Sequence, residues 1–322
     1  MFMNDGIITP VMFFSACALD LIVGDPRWFP HPVIIIGRGI NRMERAIRVY
    51  FSPGCFKTGG IILWVAVILT TYFATWGILT ASCEIHWILG CVVTVMLASQ
   101  TLAVRSLFQE SKIVIDRLNA GRLDDARKAL SMIVGRDTEN LDKKGILRAV
   151  VETVSENLSD GIVAPMFYLL LGGVPLAMTY KAVNTLDSMV GYKNDHYRDI
   201  GYFSARMDDI LNWIPARMTG FIVVIVSFFL GLNGKNAWRI MRRDSRNHPS
   251  PNSGVPEAAV AGALGVQLAG PMSYFGRMME KPAIGDGIKS IDDGDVKMAW
   301  AIMFSSSGLM FIFCMIMMGC VV

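Results

Sequence analysis

Six stretches of this 322-residue chain are apolar for long enough to cross a lipid bilayer, and no other feature limits its fold so tightly. They run from about Ile7 to Val23, Ile61 to Thr80, Ile85 to Val104, Ile162 to Tyr180, Trp213 to Leu232 and Met298 to Val322. Hydrocarbon offers no water to unpaired backbone groups, so each run has to close its own hydrogen bonds as a helix. The expected fold class is all-α: a polytopic integral membrane helical bundle of about five or six spanning segments, forming one domain over residues 1–322. Composition agrees, since 53% of the residues are hydrophobic and only 18% are charged.

The charges that remain set an orientation. Segment 24–60 holds six Lys or Arg, 105–161 ten and 233–296 eight, whereas the turn 81–84 and both ends hold none. The positive-inside rule makes those three segments cytoplasmic, giving a multi-pass protein of the cell (inner) membrane with its active site on the cytoplasmic side. Segment 181–212 breaks the pattern: it carries Lys181, Lys193, Arg198 and Arg206, yet lies outside if Ile162 to Tyr180 crosses fully. A re-entrant hairpin folded at Gly172-Gly173-Val174-Pro175 would return it to the cytoplasmic side. Within loop 105–161, Ser111 to Asn119, Leu123 to Ile133 and Asp142 to Ser159 read as helices, separated near Gly121 and Gly135. A net charge of +3 makes no case for nucleic acid, and six cysteines without a C-x-x-C pair make none for zinc or disulfides. The first run has no Lys or Arg ahead of it and holds Asp20, so it is expected to be a retained helix rather than a signal peptide.

Four polar motifs punctuate the apolar runs. The first is the stiff exit from the first helix, Asp25-Pro26-Arg27-Trp28-Phe29-Pro30-His31-Pro32, followed by Arg38, Arg42 and Arg45 at i, i+4 and i+7. That arginine face suits a bound phosphate or inner-leaflet headgroups, and the exit itself equally suits a plain membrane-surface turn. The second spaces Glu152, Glu156 and Asp160 at i, i+4 and i+8, so the three carboxylates share one helix face, with Asn157 beside them. Like charges stacked this way repel. Unless the face is simply solvated, a cation belongs opposite it: Mg²⁺, an ammonium group, or a side chain such as Arg148 or Lys181.

The third motif joins Lys181, Asn184 and Asp187 to Lys193, Arg206 and the pair Asp208-Asp209, ionisable groups whose cost beside a membrane argues for function. The fourth is the loop from Arg242 to Gly254, carrying His248 and Asn252, after which Glu257 opens a small-residue helix. An ordered loop with Arg, His, Asn and Ser suits a phosphate or amide-bearing ligand, although Glu257 alone is explained by the helix dipole. No Walker, Rossmann or G-x-S-x-G pattern is present, and the four histidines lack metal-ligand spacing.

In their order these motifs resemble the CbiB/CobD family of cobamide biosynthesis. The likeness is carried by Asp25-Pro26 with Pro30-His31-Pro32, by Val134-Gly135-Arg136-Asp137-Thr138, and by Val150 through Pro165. It continues through Lys181 to Lys193, Ser204 to Asp209, Trp213 to Arg217, His248 to Asn252 and Glu257 to Gly265, and extends to about Asp286. Two positions depart: His196 replaces an expected Lys or Arg, and Ala269-Gly270-Pro271-Met272 replaces a Gly-Gly-Pro-Asn-like run.

The resemblance implies an adenosylcobinamide-phosphate synthase, an acid–amine ligase joining adenosylcobyric acid to an amino-alcohol phosphate, typically aminopropanol phosphate, with ATP and Mg²⁺. On that basis Glu152, Glu156, Asp160, Asp187, His31 and His248 are the expected catalytic residues. Asp25, Arg38, Arg136, Asp137, Lys181, Asn184, Lys193, Arg206, Asn252 and Glu257 are the expected substrate and phosphate contacts, and Asp208, Asp209 and Asn157 the expected metal ligands. The corrinoid substrate needs aromatic surface, which Trp28, Phe29, Tyr192, Tyr197, Trp213 and Tyr274 offer as any membrane interface would. Membrane lipids and other cobamide-assembly enzymes are the expected partners, and nucleic acid is not. Two other readings stay open: a Mg-dependent membrane group transferase acting on a diphosphate-linked substrate, and a corrinoid transporter or regulatory membrane sensor.

Overall fold

The computed structural model describes residues 8–26, 30–192, 194–274, 277–280 and 282–321. Its helices in chain order are α1 (Pro10–Ile22), α2 (Pro32–Tyr50), α3 (Phe56–Ile85), α4 (Trp87–Ser99), α5 (Val104–Asn119), α6 (Leu123–Leu130) and α7 (Lys143–Asn157). A π-helical segment, Leu158–Val163, leads into α8 (Ala164–Val190), followed by α9 (Tyr202–Leu211), α10 (Trp213–Phe229), α11 (Gly234–Asp244), α12 (Gly254–Leu264) and α13 (Asp293–Val321). Between α12 and α13 lie two short antiparallel ribbons. In one, β1 (Leu268–Ala269) pairs with β4 (Ala283–Ile284); in the other, β2 (Met272–Tyr274) pairs with β3 (Arg277–Met279).

Four helical stretches are long and apolar enough to span a bilayer: Pro53–Ile85, Trp87–Asn119, Lys143–Val190 and Asp293–Cys320. Tyr202–Leu211 with Trp213–Phe229 makes a fifth if the pair is one broken span. The protein is therefore all-α and multi-pass. Two boundaries differ from the hydropathy reading. Helix α1 has 13 residues, about 20 Å of rise against a hydrocarbon core of about 30 Å, so the described part of the first apolar run is shorter than a span. The turn expected at 81–84 is helical, because Ala81 to Glu84 contain no breaker; the chain instead turns at extended His86, whose Nδ1 accepts the N–H of Ile88 at 3.2 Å.

The chain divides into two compact units. One comprises residues 1–103, 164–212 and 313–322. In it α2, α3 and α8 close on a core of Ile40, Ile47, Leu63, Val67, Leu186 and Val190. Helix α8 breaks at Gly172 and Gly173, two residues before Pro175, at the site from which a hairpin is expected. Gly173 has φ 64° and ψ −158°, a region only glycine enters without strain.

The other unit comprises residues 104–163 and 213–312. The loop helices α5, α6 and α7 appear close to where the sequence puts them, with Gly121 at φ 73° between the first two. Helix α12 is buried on all sides, which its Gly and Ala residues permit: a Cβ on Gly262 would stand 2.6 Å from the Asn236 carbonyl of α11. Outside the candidate spans, Arg243 holds Asp244 at 2.6 and 2.7 Å and Asp286 at 2.7 Å, while Asp244 also accepts the N–H of Gly285 at 2.8 Å. These partners hold both carboxyls below the usual range and raise the Arg243 guanidinium above its own.

Candidate active site

Helix α7 carries two acids, Glu152 buried and Glu156 half-buried, and the segment before α7 and those flanking α12 supply their partners. Glu152 is only 4% exposed; its Oε2 accepts a short bond from Arg136 Nη2 and its Oε1 accepts the N–H of Ala269 at 2.6 Å. A guanidinium and an amide together allow a carboxylate to stay ionised out of water. One turn along, Glu156 Oε1 accepts from Ser253 Oγ at 2.9 Å. His248 Nε2 stands 3.7 Å from Glu257 Oε1, while its Nδ1 accepts the N–H of Ser250 at 3.0 Å. That second bond makes Nδ1 the acceptor, so Nε2 carries the proton. Arg136, Glu152, Glu156, His248 and Glu257, with Thr153 and Ala269, line one cleft of about 110 Å³.

Local sequence explains the cleft's shape. A Cβ on Gly254 would fall 2.2 Å from the Ser245 carbonyl oxygen and 2.7 Å from His248 Cβ, so glycine is what lets the loop fold back onto α12. Arg217 Nη1 donates to Asn252 Oδ1 at 2.7 Å while its guanidinium lies over the Trp213 ring at 4.7 Å, tying the same loop to α10. Ala269 has φ 56°, a left-handed conformation that costs an alanine about 1–2 kcal/mol. The bond from its N–H to Glu152 holds it there.

The first unit has its own polar groups. Asp25, His31 and Lys181 line a cleft of about 330 Å³ with Val33, Ile34 and Leu102 on its walls. His31 caps α2, its Nδ1 accepting the N–H of Val33 at 3.2 Å and its Nε2 lying 3.3 Å from Asp25 Oδ1. Separately, Asp208 of α9 is 9% exposed, and its Oδ2 accepts from Asn212 Nδ2 at 3.0 Å. Tyr180 donates its hydroxyl to Asn212 Oδ1 at 2.7 Å and stacks on Tyr168 with ring centroids 4.8 Å apart. Asn184, Asp187 and Asp209 complete the polar surroundings of Asp208. A Cβ on Gly191 would stand 1.9 Å from Asp187 Oδ1, so glycine leaves room for that carboxylate at the end of α8.

Residues 13–303 match the family described as CobD/Cbib protein. The chain belongs to the CobD/CbiB family. It is 51% identical over 278 residues to the cobalamin biosynthesis protein CobD of Geobacter metallireducens, covering 86% of this chain and 87% of that one. It is also 51% identical over 278 residues to the CobD of Clostridium perfringens (86% and 88%), and 48% identical over 304 residues to the cobalamin biosynthesis protein CbiB of Salmonella typhimurium (94% and 95%). No solved structure matches it.

Not every residue expected to act in this CobD/CbiB protein joins a cleft. Asp160 does not line the cleft with Glu152 and Glu156; it falls in the π-helical segment that follows α7. Asn157 donates its amide to the Thr153 carbonyl of its own helix at 3.0 Å. Asp137 is half-buried beside Arg136 without lining the cleft, and Asn252 is engaged by Arg217. Arg38 is exposed on α2, and Arg206 is exposed with its guanidinium 5.8 Å from the Tyr202 ring. Lys193, Trp28, Phe29 and the Tyr274 side chain lie outside the described residues. Two groups that sequence reading misses are Ser253 and the backbone N–H of Ala269. A serine and an amide carry no signature of their own, although the departure at Ala269-Gly270-Pro271-Met272 marks the right segment.

Among the described residues, no three His, Cys, Asp or Glu side chains converge closely enough to cage a metal ion. The donor set of Asp208 with Asp187 fits Mg²⁺ in the manner common for that ion, through one or two carboxylates, with phosphate oxygens and water completing the shell.

Proposed function

We propose that this protein joins the free carboxylate of adenosylcobyric acid to the amine of an amino-alcohol phosphate, typically aminopropanol phosphate, forming adenosylcobinamide phosphate with ATP and Mg²⁺ in the cytoplasmic membrane. The observation that carries the reading is the α7 cleft, where a fixed carboxylate, a guanidinium and an imidazole N–H converge in a chain that covers nearly the full length of cobalamin biosynthesis proteins. Amide formation from a carboxylate has two demands: activation of the acid, most simply as an acyl phosphate, and removal of a proton from the amine.

The residues divide between those demands. Glu156, oriented by Ser253, accepts the proton of the incoming ammonium. His248 presents Nε2–H as a donor to an anionic oxygen and does not act as base, because its Nδ1 is committed to Ser250. Arg136 and Glu152 form a fixed charged pair that shapes the cleft. Asp187 and Asp208 would hold Mg²⁺ together with phosphate oxygens, supplying charge neutralisation there. The cleft of Asp25, His31 and Lys181, polar at some positions and aliphatic at others, has the mixed character that the edge of a corrinoid bearing amide groups requires. Mass spectrometry of adenosylcobyric acid incubated with purified protein, aminopropanol phosphate and Mg-ATP is expected to show the amide product. Equal yield without any nucleotide would sink the ligase assignment.

A further inference from the structure

Helix α2 has a buried side and an open one. Ile36, Ile40, Met43 and Ile47 belong to the core shared with α3 and α8. On the opposite side an arc of about 100° carries Ile34, Ile35, Arg38, Arg42, Arg45 and Val49. All six are exposed; the three aliphatic side chains are 54%, 62% and 75% open. Among the described residues, no carboxylate pairs with the three arginines, and Arg45 Nε turns to the Asn41 carbonyl of its own helix at 3.2 Å. Arg48 of the same helix shows the contrast: it bonds Glu44 and donates to the His196 carbonyl at 2.9 Å.

Neither water nor hydrocarbon suits such a face. A helix facing water gains nothing by exposing three β-branched side chains, and one facing acyl chains would have to bury three guanidinium groups. The headgroup boundary satisfies both, with aliphatic groups at the acyl level and cations at the phosphates. Arg38 to Arg45 span only about 10 Å of helix, close to one screening length in physiological salt, so three uncompensated positive charges there favour anionic over zwitterionic headgroups.

We propose that the outward face of α2 docks on anionic phospholipid headgroups, with Arg38, Arg42 and Arg45 on phosphate oxygens and Ile35 and Val49 at the acyl boundary. Arg38 then serves lipid phosphate rather than substrate phosphate. The proposal does not depend on the ligase reading.

Native mass spectrometry of the full-length chain, released from detergent after exposure to phosphatidylglycerol or phosphatidylcholine, tests it. The wild type is expected to retain phosphatidylglycerol in preference to phosphatidylcholine. The triple variant Arg38→Gln, Arg42→Gln, Arg45→Gln should lose this preference by several-fold per arginine, on the order of a hundredfold in all. Its melting temperature should not change, because none of the three side chains packs in the core, and the corresponding triple Lys variant should keep most of the preference. Millimolar inorganic phosphate should leave the lipid adducts in place. Equal retention of the two lipids, or wild-type binding by the triple Gln variant, would overturn the proposal. So would displacement by inorganic phosphate, which marks a soluble-ligand site, or a change of oligomeric state in the Gln variant without lipid loss, which marks contact with a second copy.

Discussion

In the α7 cleft, buried Glu152 has a guanidinium and a backbone N–H on its two oxygens; in the α8/α9 cluster, buried Asp208 has the neutral side-chain amide of Asn212. Both acids are nearly closed off from solvent, at 4% and 9% exposure, but a guanidinium stands on the first, whereas the amides of Asn212 and Asn184 and the acids Asp187 and Asp209 surround the second. A buried carboxylate among neutral amides and other acids is costly to keep ionised, and that cost falls when a cation arrives. The first arrangement is therefore built to hold shape. On the proposed function, the second receives the charge of Mg²⁺.

Removing a charge should affect the two places in opposite ways. The largest effects concern turnover: Glu156→Gln is expected to lower amide formation roughly 10²- to 10⁴-fold while the protein still folds, as loss of a general base does. Asp208→Asn should also cut turnover strongly and weaken the dependence on Mg²⁺, yet leave the melting temperature unchanged or higher, since a buried charge beside the acids Asp187 and Asp209 has gone. A clear drop in melting temperature for Asp208→Asn would mean that the cluster is internally compensated after all. Next in size, Arg136→Met strands Glu152 and should destabilise the fold by about 3–5 kcal/mol in chemical denaturation, with Glu152→Gln on the same background recovering much of it.

Smaller effects refine the picture of the cleft as a rigid frame. Ala269→Gly relieves a left-handed alanine and should raise stability by about 1 kcal/mol, with the Glu152 contact intact. If the melting temperature falls instead, the alanine methyl contributes packing that exceeds its strain. The mildest effect concerns acid. Asp244 and Asp286 have folded pKa values depressed below their ordinary 3.8, through hydrogen bonds from Arg243 above all. Their contribution to stability is complete above the ordinary value and is lost as pH falls through the depressed one. Melting temperature should therefore stay level from about pH 7 to about pH 5 and decline below about pH 4. Asp244→Asn should flatten that decline, and an unaltered acid slope would remove the pair from the account.

Much of this architecture is legible along the chain because its causes are local. Bilayer thickness sets the length of an apolar run, and glycine or proline marks where a helix must stop, so the long spans, the loop helices and the break at Gly172-Gly173 can be read directly. The pairing of Glu152 with Glu156 is also local, one helical turn apart. The same logic stops short of the π-helical segment that holds Asp160, a departure from periodicity that only packing reveals. It fails again at α1, whose described helix is shorter than its apolar run.

By itself, then, the sequence determined a multi-pass helical membrane protein of the CobD/CbiB family and pointed to acids and bases of which several line the two clefts. Which of them meet was decided by tertiary structure alone. Glu156 and Ser253 are 97 residues apart, and Glu152 and the Ala269 amide 117. Helical periodicity reaches only three or four residues, so it cannot say which carboxylate receives a guanidinium or which histidine nitrogen is capped.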